Sequence, residues 1–333
     1  APVASARAKL NRVQSKFRWV EDLVGGEDAA AAPIQLLLGL IEELYRFMAT
    51  VASQQGPAGD IPAHVADQGR AVIQQMQMAA SRQPPMVQGL MNSAAAGSQS
   101  LAFAGVAAQI NTEWRSRGLP FCRQAISGRY PIDRNSMQEI RLDDFGQFFG
   151  PGGILDTFFR DYLANYVDMS RSPWRVRSSG AVPIRISANS LRQFERAQAI
   201  RDTFFRGGGA TPSVRFEMQP IGMDATISQF SLSLAGTTIS YSHGPPMPQY
   251  LEWPGPDQNA EVIVEMSPRG AGSMLRERGP WAWFRVLDKA NITPAGRPEH
   301  FQVEFRLGDR AAMYELVARS AYNPFRFEQL EQF

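Results

Sequence analysis

The spacing of apolar residues changes once along this chain, from steps of three and four to strict alternation. In residues 5–24, Leu10, Val13, Phe17, Val20 and Val24 recur at helical spacing, and Gly25-Gly26 stops the run. Pro33 suits a first helical position, and Leu37, Leu40, Ile41, Leu44, Phe47, Met48 and Val51 predict a wide apolar stripe behind it. Gln55-Gly56-Pro57 ends that helix. Pro62 opens the next, with Val65, Val72, Ile73 and Met76 facing inward, and Pro84-Pro85 breaks it. Residues 86–117 are rich in Ala, Ser and Gly. Leu101, Ile110 and Trp114 keep helical spacing through them, so a helix is preferred over a low-complexity linker, and the small residues would let helices approach closely. Residues 119–127 predict a short helical piece leading to Gly128.

The stretch Arg129–Trp174 concentrates Phe pairs, acids and glycines. Asp143 or Asp144 is the expected cap of a helix carrying Phe145, Phe148 and Phe149, and Gly150 the expected left-handed end of it, followed by Pro151. Leu155, Phe158, Phe159, Tyr162, Leu163, Tyr166 and Val167 predict a second helix. Ser187 or Ser190 caps a third, with Leu191, Phe194, Ala197, Ile200 and Phe204 on one face. Gly207-Gly208-Gly209 then reads as a hinge or linker.

After the glycines the period is two. Val214, Phe216 and Met218 alternate with polar residues, as do Phe230, Leu232 and Leu234. Ala235-Gly236 turns the chain into Thr237–Tyr241. Val262, Val264 and Met266 form another strand pattern, and so do Phe301, Val303, Phe305 and Leu307, with Gly308-Asp309 as a hairpin turn into Met313–Ala318. A short helix with Trp281, Phe284 and Leu287 follows Pro280. The predicted class is a multidomain α+β protein: an α-helical domain over 1–206, an antiparallel β-sandwich over 207–320 and an aromatic C-terminal extension over 321–333.

Composition narrows the function. A length of 333 residues exceeds one ordinary core, which agrees with two domains. The net charge of +2, with Lys only at 9, 16 and 289 and Arg scattered among acids, argues against a nucleic-acid partner. Cys122 is the single cysteine, so no internal disulfide forms, and its apolar neighbours Phe121, Ala125 and Ile126 make it a core residue. The most apolar run, Ile34–Ile41 continuing to Val51, is interrupted by Gln35, Glu42, Glu43 and Arg46, so no membrane span is predicted. The start Ala1-Pro2-Val3-Ala4-Ser5 has no leader pattern, and the expectation is a piece of a longer chain targeted by an upstream segment.

Candidate chemistry is sparse. His64, His243 and His300 share no metal-ligand spacing, and no nucleophile motif is present, so neither metal, cofactor nor small-molecule substrate is expected. Asp143, Asp144, Asp156 and Asp161 could pair as general acid and base, but they also sit where helices begin, which the helix dipole favours. Gly150–Gly153 lacks the Lys-Ser/Thr and the buried strand of a phosphate loop. Tyr241–Pro256 differs in kind: prolines pre-order a loop or sheet rim, and Met and aromatic side chains supply contact area at low entropy cost. His243, Pro245, Pro246, Met247, Tyr250 and Trp253 are the candidate partner-binding residues, with the alternative that Tyr250 and Trp253 cap the sandwich core.

Several linked motifs carry a family resemblance from about residue 119 to 325. They are Ala125–Pro131; Asp144-Phe145 with Phe148–Gly153 and Asp156, Phe158, Phe159; Tyr166–Asp168 with Trp174; Ala199–Arg201 with Phe204-Phe205; Tyr241 with His243–Pro245; Trp253–Gly255; Gly279–Trp281 with Phe284, Leu287 and Asp288; and Ser320 with Asn323–Phe325. In that order they resemble the C-terminal region of the TssM (IcmF-like) family of type VI secretion systems. The resemblance implies a non-enzymatic periplasmic scaffold, helical then β-rich, belonging to an inner-membrane protein. It implies binding of the outer-membrane lipoprotein TssJ, and in the full-length assembly TssL and further TssM copies. It implies no NTPase activity for this stretch. The rival expectation is a peptidoglycan-binding or glycan-processing module using Asp143, Asp144 or the aromatic loop.

Overall fold

The computed structural model describes residues 15–25, 32–53, 63–177, 186–255, 261–297, 299–318, 323–325 and 328–333. Contacts divide the chain into two units, one of residues 1–112 with 177–185, the other of 113–176 with 186–333. The sequence boundary at 206/207 falls inside the second unit.

The first unit is helical. Residues 15–24 form a helix, followed by α1 (Pro33–Ser53), α2 (Ala63–Ala80) and α3 (Pro85–Glu113), whose last residue belongs to the second unit. Leu37, Leu40, Leu44 and Phe47 repeat at three- and four-residue steps and pack on Val72, Met76, Ala80 and Met91. Ile41, predicted in this stripe, is exposed, because it lies about 100° round the helix from Leu40. Phe17 and Val24 are exposed too, and of that helix it is Leu23 that touches the core. Residues 5–14 and the side chains of Val51, His64, Val65 and Leu101 lie outside the described residues.

The second unit opens with a helical run containing two π turns, Trp114–Gly118 and Cys122–Ile126. α4 (Leu142–Phe149) and α5 (Ile154–Phe158) follow, and α5 continues through a π turn, Phe159–Leu163, and a 3-10 turn, Ala164–Tyr166. Three local expectations change here. The N-cap of α4 is Arg141, in extended conformation and with no side-chain bond. Asp143 and Asp144 lie within the first turn, where they face the positive end of the dipole. Gly150 is extended (φ −67°), and the left-handed residue is Gly152 (φ 70°). Gly150 is small for another reason, since a Cβ there would press on the carbonyl of Gly146. Val167 leaves the helix to form β1 (Val167–Asp168), which pairs with β2 (Arg175–Val176). α6 (Ala188–Phe204) is capped by Ser187, whose hydroxyl oxygen accepts the Ser190 N–H at 3.0 Å.

The strands are β3 (Val214–Met223), β4 (Gln229–Leu234), β5 (Thr237–Tyr241), β6 (Gln249–Trp253), β7 (Val262–Ser267), β8 (Met274–Glu277), β9 (Asn291–Pro294), β10 (His300–Leu307) and β11 (Arg310–Ala318). One antiparallel sheet has the order β6-β3-β11-β10-β9, the other β5-β4-β7-β8. This is the α+β class that the change of period predicts. Pairs such as Phe230↔Met266, Leu232↔Val264 and Leu234↔Val262 set the register so that one face of each strand is buried. The β4–β5 turn has left-handed Ala235 (φ 49°) and Gly236 (φ 88°), the two-residue geometry that matches strand twist.

Helices and sheets of this unit share one core. α7 (Ala282–Asp288) brings Trp283 onto Phe216 at 5.4 Å, and Trp281, just ahead of it, meets Phe145 of α4 at 5.2 Å. Gly207–Gly209 lies in a turn tied on both sides: the Gly208 N–H donates to Phe205 O and the Ser213 N–H to Phe204 O. The C-terminal segment inserts Phe325 beside Phe216 at 5.0 Å. It then forms α8 (Glu328–Glu331) and places Phe333 on Phe149 of α4 at 4.9 Å.

Candidate partner-binding edge

β6 is an edge strand, hydrogen-bonded only to β3 within its sheet. Proline-rich sequence hid it: Pro248 and Pro254 bracket five residues that alternate as a half-buried strand should. The alternation separates the two aromatics proposed for partner binding. Tyr250 points to solvent and is 68% exposed, while Trp253 is 1% exposed. The Trp253 indole N–H donates to Pro280 O at 2.9 Å, and its ring packs on Trp281 at 4.8 Å. Trp253 is therefore a core side chain that holds the edge strand down, and Tyr250 is the one free to touch another molecule.

The loop before β6 is mostly outward. Pro245, Pro246 and Met247 are exposed, Met247 at 64%. His243 adopts a left-handed φ of 57°, and its Nε2 lies 2.7 Å from Ile227 O, a pin that fixes where the loop leaves β5. The structure thus leaves His243, Pro245, Pro246, Met247 and Tyr250 exposed, with the His243 ring also bound to Ile227 O, and buries Trp253 alone of the six. Pro256 lies outside the described residues.

Two open cavities flank β6. One, of about 760 Å³, is lined by Thr203, Arg206 and Gly207 after α6, by β3 from Val214 to Glu217, and by Tyr250, Leu251 and Glu252. The other, of about 560 Å³, lies among Thr211, Pro212, Leu234, Ala235, Pro254 and Gly255. Ser213, Thr237 and Glu252 line both, so open space runs along the strand. Arg215 donates to Glu252 at 3.1 Å across the β3–β6 pair, an exposed bond of little net stability. Arg206 and Thr237 carry no local sequence signal: only the pairing of distant strands puts them here.

Elsewhere several ionisable residues are engaged in holding the fold. Tyr130 donates to Asp288 at 2.7 Å, Arg134 pairs with both Asp288 and Glu331, and Arg285 donates to Glu139 at 2.6 Å while lying 4.0 Å over the Tyr130 ring. Burial, then the bond to Asp288, pushes the Tyr130 hydroxyl pKa well above its ordinary value. Burial also raises the Cys122 thiol, against the weaker opposing effect of Arg123, which makes it a poor nucleophile. Asp156 accepts from the Gly152 N–H and pairs with Arg201. His300 Nδ1 lies 2.8 Å from Glu315. Asp143 is exposed, with Arg141 at 3.9 Å. Among the described residues no group of three or more His, Cys, Asp or Glu is placed to hold a metal, and no helix is long and apolar enough to cross a membrane.

Comparison with known proteins agrees with this architecture. A model of the type VI secretion protein IcmF helical domain matches residues 105–210, and one of the IcmF C2-like domain matches residues 216–320. The type VI secretion system component TssM1 of Pseudomonas aeruginosa is 39% identical over 329 residues, covering 98% of this chain and 29% of the relative. The chain therefore spans less than a third of that relative's length. Among solved structures, a TssM C-terminal domain from EAEC is 20% identical with a TM-score of 0.60, over 68% of this chain and 95% of that one. A chain of a type VI secretion system membrane core complex is 17% identical with a TM-score of 0.71, over 96% of this chain and 69% of that one. At these identities the likeness is one of fold.

Proposed function

Because the chain belongs to the TssM (IcmF-like) family of type VI secretion proteins, we propose that it serves as a periplasmic, non-enzymatic scaffold of the type VI membrane complex. In this reading the β-sandwich binds the outer-membrane lipoprotein TssJ and so links the inner to the outer membrane. TssL and further copies of the same protein join through the full-length assembly. The observation that carries the reading is exposed Tyr250 on an edge strand anchored by buried Trp253, with exposed Met247 in the loop that leads into it. A strand presenting Tyr250, led into by a proline-rich loop that exposes Met247, offers contact area at little ordering cost.

The glycan-processing alternative needs two carboxylates facing one cleft. Asp143 and Asp144 are successive residues on the first turn of α4, so their side chains diverge by about 100°. No cavity described around β6 includes them. The carboxylate pair of the alternative thus lacks a shared cleft, and its glycan-binding form, through the aromatic loop, is separated from lipoprotein binding by the partner that the loop retains.

The test is co-purification of the full chain with TssJ. Wild type is expected to retain the lipoprotein, Met247→Ala/Tyr250→Ala to weaken binding at least tenfold, and Asp143→Asn/Asp144→Asn to bind as wild type. Undiminished binding by the Met247/Tyr250 variant would remove this edge from the interface.

A further inference from the structure

We infer that β6 is a docking edge for an extended protein segment, which adds to the five-stranded sheet as a sixth strand. The inference rests on the lipoprotein-binding reading and specifies how the partner is held. In an antiparallel pair, alternate residues turn their N–H and C=O away from the neighbour. β6 has β3 on one side, and among the described residues no backbone bond satisfies its other side. A row of donors and acceptors at strand spacing is matched by one kind of ligand, another extended backbone.

The surroundings fit such a strand. The open space reaches β6 from the turn after α6 and from Thr237 of β5, and it continues over Arg215 and Glu217 of β3. Pro248 and Pro254 lack N–H groups and bound the pairing length to Gln249–Trp253, roughly 17 Å of strand. Two of the three other edges, β8 and β9, are guarded, while β5 is paired only with β4 and lies across the open space from β6. The β8 edge carries the ion pairs of Arg276 and Arg278 with Glu261 and of Glu277 with Lys289, and the four-residue β9 ends in Pro294. On β6 the outward side chains Tyr250 and Glu252, with Arg215 beside them, lie on the sheet face and leave the edge itself open. The incoming segment takes affinity from backbone pairing and selectivity from side chains seated over Tyr250 and against Arg206.

Hydrogen exchange on the full chain, with and without TssJ, tests this. The outward amides of β6 are expected to exchange at least tenfold more slowly in the complex, with no change in β9. If TssJ binds and β6 exchange is unchanged, strand addition is overturned while the binding reading stands. If TssJ does not bind at all, both fall. If β6 is already protected in the chain alone and light scattering shows a dimer, the edge belongs to a second copy and the inference is overturned.

Discussion

Trp281 donates its indole N–H to the carbonyl of Ile140 at 2.6 Å, a bond between fully buried groups 141 positions apart in sequence. It ties the loop before α4 to the start of α7. Replacement by Phe leaves a buried carbonyl unpaired and removes ring volume from a cluster with Phe145, Trp253 and Phe284. Trp281→Phe is expected to cost about 2–4 kcal/mol, read as a lowered midpoint in urea unfolding at unchanged slope.

Two buried tyrosines give opposite expectations. Tyr130 donates to Asp288, whereas among the described residues the Tyr314 hydroxyl finds no partner. Tyr130→Phe is expected to destabilise by about 1–2 kcal/mol, and Tyr314→Phe to be neutral or slightly stabilising. Thermal unfolding of the two variants checks the contrast.

The same pair sets an alkaline limit. Burial raises both hydroxyl pKa values in the folded protein, with the Asp288 bond adding to it at Tyr130. A group whose pKa is raised by folding contributes its full stability below the unfolded value, about 10, and loses it as pH rises above that. Stability is expected to fall from about pH 10 upward, and the Tyr130→Phe/Tyr314→Phe double variant to show a flatter fall in denaturant titrations across that range.

Gly146 and Gly152 are constrained for different reasons. A Cβ on Gly146 would collide with the backbone oxygen of Ala210, whereas Gly152 has open space but a φ of 70°. Gly146→Ala is expected to cost about 3 kcal/mol and Gly152→Ala about 1 kcal/mol, both measured by chemical denaturation.

Ser187→Ala removes the cap that satisfies the Ser190 N–H and is expected to cost about 1 kcal/mol. Ser187→Asp, which restores an acceptor, should recover most of it in the same melting assay.

Strands with long alternating runs were legible in the sequence, because β4, β7 and β10 bury every second side chain with little interruption. β6 was hidden because prolines surround it, and at edges proline is tolerated. β8 and β9 were hidden because Met274, Arg276, Asn291 and Thr293 face solvent and leave almost no apolar signal. Around α4 the residue types were legible but not their duties, since an acid suits a cap and a first turn alike, and the glycine that must be left-handed depends on the path of the loop. At the candidate site Tyr250 and Met247 could be named from composition. Trp253 could not be separated from them until the period-two alternation of β6 was seen, and Arg206 joins the site only through tertiary structure.

The C-terminal segment fastens the sandwich to the helices at two depths, with Phe325 among Phe216, Trp283 and Phe284 and Phe333 against Phe148 and Phe149, while Arg196 grips Gln332 between them. Mechanically this makes a rivet. A pull applied to the strands must shear these rings together with the Trp281–Phe145 and Phe204–Trp253 contacts of the shared core. Under tension the second unit should give way in a single abrupt step, and clipping the chain after Pro324 should lower the force of that step without dividing it, because the shared core remains.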